Sequence, residues 1–130
     1  MSHSIKNLRE VQDVAPGAGF GEIQEARFAR GDLDAEATGL AYHVLKAGKR
    51  QAFAHRHEDA EEIYVVLSGN GRIKLDDEIE EVGPMDAIRI APSVARAFEA
   101  ADGAPLELLV FGPHHDKDGE LIEDPGFWGD

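Results

Sequence analysis

Cysteine is missing altogether from this chain of 130 residues. No disulfide, thiolate nucleophile or thiolate-held metal is then available, so any metal must be bound by nitrogen and oxygen ligands. Positive charge is scarce as well: 13 Lys and Arg stand against 26 Asp and Glu, a formal net charge of −13. The acids are spread along the chain, and the one cationic cluster is the "GKR" of Gly48 to Arg50. Nucleic acid and anionic membrane surfaces are poor partners for such a chain, because phosphate recognition needs local positive charge. A small molecule or another subunit fits better. Long apolar runs are lacking too. Nothing approaches the roughly 18 residues of a membrane span, and the opening "MSHSIKNLREVQD" has no apolar stretch like that of a secretory signal. The expected location is the cytoplasm.

What the chain does have is short apolar runs. Hydrophobic residues make up 42% of positions, the composition of a folded protein and enough for one domain spanning residues 1–130. From Leu40 to Phe111 the runs are "LAYHVLKAG", "QAFAHRH", "EIYVVLSG", "RIKL", "EIEEVG", "DAIRIAP", "VARAFEA" and "LELLVFG", each ending at turn residues. Strands that turn over this often predict an all-β sandwich or closed barrel and exclude a helical bundle. "SGNGR" is the strongest hairpin signal, since Asn-Gly tolerates the positive φ of a tight turn. The N-terminal extension, 1–39, contains "FGEIQEARFAR", read as a strand in preference to an amphipathic helix. The tail, 112–130, reads as irregular structure that docks through Phe127 and Trp128.

In "EIYVVLSG" the period of two puts Glu62, Tyr64 and Val66 on one face and Ile63, Val65 and Leu67 on the other. If the first face lines a barrel, the second needs a cover, either the N-terminal segment or a second copy of the chain. A homodimer is the expectation.

His55 and His57, two apart on a strand, point the same way, and both imidazoles can reach one ion. Glu62 follows after a length that suits a turn bringing the next strand antiparallel beside the first. Two imidazoles and a carboxylate on adjoining strands give a facial ligand set with open positions, suited to Fe(II), Mn(II), Ni(II) or Zn(II). The plainer reading is a strand that ends at the solvent edge beside a soluble turn made of Glu58, Asp59 and Glu61. His55, His57, Glu62 and Gly69 stand in the spacing HxHx4Ex6G, and this stretch resembles the first motif of the cupin family, although Gly48 lies one residue too far upstream. The resemblance covers about residues 40–111. It implies a cupin-type β-barrel, a double-stranded jelly roll, whose mouth holds a divalent metal on His55, His57 and Glu62.

The family's second motif is degenerate. Arg96 occupies the register of its histidine, and only the strand and turn from Asp86 through Pro92 to Phe98 are recognisable. Three readings of Arg96 follow. It clamps an anionic ligand beside a three-ligand metal; it pairs with Glu62 and discourages a cation; or it turns outward. Tyr64 shares Glu62's face and is a ligand-binding candidate or a core residue. Tyr42 and His43 compete for the inward orientation of their strand. "HHD" at His114 to Asp116 reads as a solvated loop, and "LDDEIEE" lacks the spaced ligands of a calcium loop. The function expected is a small cupin that binds a divalent metal and an anionic small molecule, as an oxygenase or isomerase; the alternative is a metal-free, non-enzymatic cupin that binds a small molecule.

Overall fold

Alternation of apolar and polar residues every second position makes strands that bury one face, and ten of them form. The computed structural model describes residues 2–130. The strands are β1 (Gln24–Phe28), β2 (Thr38–Leu45), β3 (Ala54–His57), β4 (Glu62–Ser68), β5 (Gly71–Leu75), β6 (Glu78–Val82), β7 (Ala87–Ile90), β8 (Arg96–Ala100), β9 (Leu106–Pro113) and β10 (Gly119–Ile122). They pair antiparallel in two five-stranded sheets, ordered β1-β2-β9-β4-β7 and β10-β3-β8-β5-β6. The result is an all-β jelly roll. The one helical element among the described residues is a 3-10 turn at Leu8–Glu10, and no helix is long and apolar enough to cross a membrane.

The core lies between the sheets. Leu45, Tyr64, Val66, Leu106 and Leu108 project from the first sheet onto Ile73 and Phe98 of the second, all of them buried. The Tyr64 and Phe98 rings meet across the gap at 4.9 Å. On β2, Ala41, His43 and Leu45 share the inward face, and Tyr42 points outward. That resolves the competition between Tyr42 and His43. Tyr42 is still buried, because its hydroxyl donates to Glu107 and the N-terminal segment lies along this edge, where Arg27 Nη1 donates to the Val11 carbonyl.

Eight strands stand where the eight apolar runs predicted them, and "FGEIQEARFAR" supplies β1. Two local expectations fail. Ser68 to Arg72 does not make a hairpin, since β4 and β5 belong to different sheets. The chain turns a corner there, and glycine is required by close approach. Gly69 has φ 85° and a Cβ on it would collide with the Pro105 carbonyl; one on Gly71 would collide with that of Glu99. The tight hairpin lies at Asp76-Asp77 between β5 and β6, with Asp76 at φ 52°. The tail is also more regular than expected, since β10 pairs with β3. Beyond it Phe127 and Trp128 do dock, against the outer face of the second sheet. The Arg50 guanidinium stacks 4.6 Å from the Trp128 ring, Arg72 lies 5.5 Å from it, and the Lys74 ammonium sits 5.3 Å from Phe127.

Candidate metal centre and pocket

Parity on β3 turns His55 and His57 inward and Arg56 outward, where Arg56 pairs with Glu120. Glu62 begins β4 and faces inward with Tyr64 and Val66. The three candidate ligands converge, but not by the route expected. β3 and β4 are not adjacent: β3 pairs with β10 and β8, and β4 pairs with β9 and β7. The histidines come from one sheet and the carboxylate from the other, facing each other across the interior. Residues 58–61 are a crossover between sheets, not a hairpin turn.

His55 Nε2 lies 3.3 Å from Glu62 Oε1, and His57 Nε2 lies 3.2 Å from Glu62 Oε2. The imidazole rings are 5.2 Å apart and nearly perpendicular. One donor atom from each residue falls within 4.8 Å of the other two, the one such grouping of potential metal ligands among the described residues. Burial opposes ionisation of Glu62, but polar contact with His55 and His57 and their charge outweigh it, holding this carboxyl well below the usual range. Contact with Glu62 raises the His57 pKa against the pull of burial. Both His57 ring nitrogens are buried without a properly aligned hydrogen bond, Nε2 despite its short distance to Glu62. An orphaned imidazole nitrogen beside an ionised carboxylate is a donor set that fits a divalent cation.

One supporting residue gave no sequence signal. Asp118, just before β10, lies with Oδ2 3.2 Å from His57 Nδ1. Its two oxygens also accept from the main-chain N–H groups of Asp59 and Ala60, at 2.8 and 3.0 Å. Burial works against its ionisation, but those two N–H groups keep its pKa below the ordinary value. A carboxylate behind a ligating histidine fixes ring orientation and tautomer. Asp118 stands 61 residues after His57 in the chain, in a segment read as an irregular tail, so only the pairing of β10 with β3 reveals it.

Arg96 lies opposite His55 in the β3–β8 register and is wholly buried, at 0% exposure. The reading that turned it outward is therefore wrong. Its Nη1 sits 3.4 Å from Glu62 Oε1 and its Nη2 donates to the Ala91 carbonyl at 3.0 Å. Tyr64, also buried, directs its hydroxyl to the same Glu62 oxygen at 3.4 Å. Both residues, taken from the sequence as ligand-binding candidates, lie behind Glu62 and not in the wall of the pocket.

The pocket itself is the open end of the jelly roll, about 700 Å³ in volume, with His55, His57 and Glu62 in its lining. Phe20, Phe28, Phe53 and Leu121 supply much of the remaining wall. His43 lines it as well, its ring edge-on to Phe28 at 5.5 Å. Burial, with the neighbouring His55 adding to it, pulls the His43 pKa down to about 4, and His43 is neutral at physiological pH. In the "HHD" loop His114 and Asp116 are exposed and pair with each other at 2.9 Å, and His114 and His115 lie in the lining of the same pocket.

Fold and site together define a cupin: a family model for the cupin domain matches residues 41–112, and the chain belongs to that family. An uncharacterized protein of Methanocaldococcus jannaschii is 34% identical over 86 residues, 65% of this chain and 68% of that one. The crystal structure of a cupin protein from Bacteroides fragilis is similar with a TM-score of 0.71 and 25% identity, over 90% of this chain and 88% of that chain. The polyketide cyclase RemF from Streptomyces resistomycificus shares the fold at a TM-score of 0.75 and 20% identity, over 95% of this chain and 88% of RemF.

Proposed function

We propose that this cupin binds a divalent metal ion through His55, His57 and Glu62 and accepts a small molecule in the pocket above it. The observation that carries the reading is the convergence of three donors within 4.8 Å of one another. Fe(II), Mn(II), Ni(II) and Zn(II) all suit two imidazoles and a carboxylate. Such an ion supplies Lewis acidity toward a carbonyl, or redox chemistry when it is iron or manganese. The chain's own residues would orient the site: Asp118 lies 3.2 Å behind His57 Nδ1, and Tyr64 and Arg96 lie behind Glu62. The neighbours include an enzyme, the cyclase RemF, and an oxygenase or isomerase is the activity class this site would serve.

One observation favours a second reading, a metal-free binding protein. The buried guanidinium of Arg96 sits 3.4 Å from Glu62, and a fixed positive charge there opposes a cation. Elemental analysis of untagged protein, as purified and after soaking with each of the four ions, separates the two. Near-stoichiometric metal that is lost in His57→Ala supports the first. No metal after soaking supports the second.

A further inference from the structure

Of the seven large apolar side chains left exposed among the described residues, three line the mouth of the pocket: Phe28 at 58%, Leu121 at 54% and Val14 at 40%. Phe28 projects inward from the end of β1, and its ring lies 5.5 Å from that of His43 and nearly perpendicular to it. Phe20 and Phe53 meet edge to face at 5.2 Å on the same wall. Three carboxylates, Glu62, Asp118 and Glu120, stand in the wall against one guanidinium, Arg30, although Glu62 is paired with Arg96 and Glu120 with Arg56, both outside the wall. Arg96 is withdrawn behind Glu62, and His43 Nδ1 is buried without a hydrogen bond. A volume of about 700 Å³ is that of a site for a molecule larger than a simple acid.

We infer that the metal-free pocket takes a flat, mainly apolar and uncharged molecule, an aromatic ring system lying against Phe28 and His43, and disfavours its carboxylate analogue. The inference rests on the reading of the barrel mouth as a small-molecule site, but not on the metal. Its energy source is removal of the exposed aromatic wall from water together with ring stacking. Its selectivity comes from the carboxylates, which repel a second anion in a partly desolvated space.

The test is isothermal titration of the full chain, stripped of metal with EDTA, with 1-naphthol and with 1-naphthoate. Naphthol is expected to bind at least tenfold more tightly than naphthoate, and Phe28→Ser to weaken naphthol at least tenfold. Phe28 is exposed, so its replacement leaves the core intact; Leu121→Ser is a second variant and weakens naphthol in the same direction. Naphthoate binding as well as naphthol, no binding of naphthol, or binding unchanged in both variants overturns the inference. Metal content is measured on the same preparations before stripping. Naphthol binding to a protein that never takes up metal leaves this inference standing while removing the metal proposal, and the reverse result does the opposite.

Discussion

Arg96 and Glu62 form a buried ion pair at the foot of the pocket, with Nη1 of the wholly enclosed guanidinium 3.4 Å from Oε1 of the carboxylate. Their attraction is on the order of 5 kcal/mol at an effective dielectric of 20, and removing both ions from water costs a comparable amount. The pair is therefore close to neutral for stability, but it fixes the position of Glu62. It also puts a permanent cation where a fourth ligand would stand in the family's pattern. Replacing that cation by an imidazole removes a repulsion and adds a donor. Arg96→His is expected to tighten Zn(II) or Ni(II) binding at least tenfold in calorimetric titration; equal or weaker binding would show that the position does not govern the metal.

Removing the charge without adding a donor has a different outcome. Arg96 lowers the His57 pKa, against the raising effect of Glu62. In Arg96→Met the His57 titration, followed by NMR of the metal-free protein, moves further up. The variant also leaves Glu62 without its guanidinium, and a loss of about 3 kcal/mol in urea unfolding is expected. An unmoved His57 titration would mean that the guanidinium is not felt at the imidazole.

Asp118 supports His57 from behind and ties down residues 59 and 60. Asp118→Ala is expected to weaken metal binding by about ten- to a hundredfold and to loosen the crossover at the same time. Asp118→Asn keeps an acceptor oxygen for one of the two main-chain N–H groups, sets an amide NH2 against the other and loses the charge. If the role is to orient the imidazole, Asn recovers stability more fully than metal affinity. Recovery of both to the same degree would assign Asp118 to the backbone alone.

His43 makes stability depend on pH in a defined window. Its pKa falls from 6.5 to about 4 on folding, chiefly through burial, so between these values the unfolded chain binds a proton that the native chain does not. Stability attributable to His43 is therefore whole above about pH 6.5 and is lost as pH falls toward 4, by about 3 kcal/mol in all. His57, raised on folding, acts with the opposite sign, so the two must be separated. His43→Leu removes the first and retains the second. Urea midpoints from pH 7 to 4 should show wild type falling relative to the variant, and parallel curves would contradict the buried, neutral imidazole.

Gly69 carries the corner between the two sheets with φ 85° and no room for a Cβ beside Pro105. Gly69→Ala is expected to cost about 2 kcal/mol or more, measured as a fall in the urea midpoint. A change within a few tenths would mean that the corner can rearrange freely.

Much of the barrel was legible because strand periodicity is local. A residue's face follows from its parity with its neighbours, and so Glu62, Tyr64 and Val66 could be set inward, and His55 with His57 on one side, without knowing the fold. Asn70-Gly71 misled for the same reason: the pair is compatible with a tight turn, but compatibility cannot distinguish a hairpin from a corner between sheets. At Tyr42 and His43 both parities bury an aromatic or imidazole ring, and nothing within the strand breaks the tie.

By itself, then, the sequence determined the residue types of the candidate site, the order of β1 to β9 along the chain and the faces of β3 and β4, since these depend on residues within a few positions of one another. Tertiary structure alone decided that the histidines and the glutamate meet from opposite sheets, that Arg96 lies sealed behind Glu62, that Asp118 backs His57, and that the pocket is walled by Phe20, Phe28 and Phe53. Each of these depends on pairing between strands far apart in the chain. Such pairing is selected by burial of whole faces against each other, a sum over many side chains that no local pattern contains.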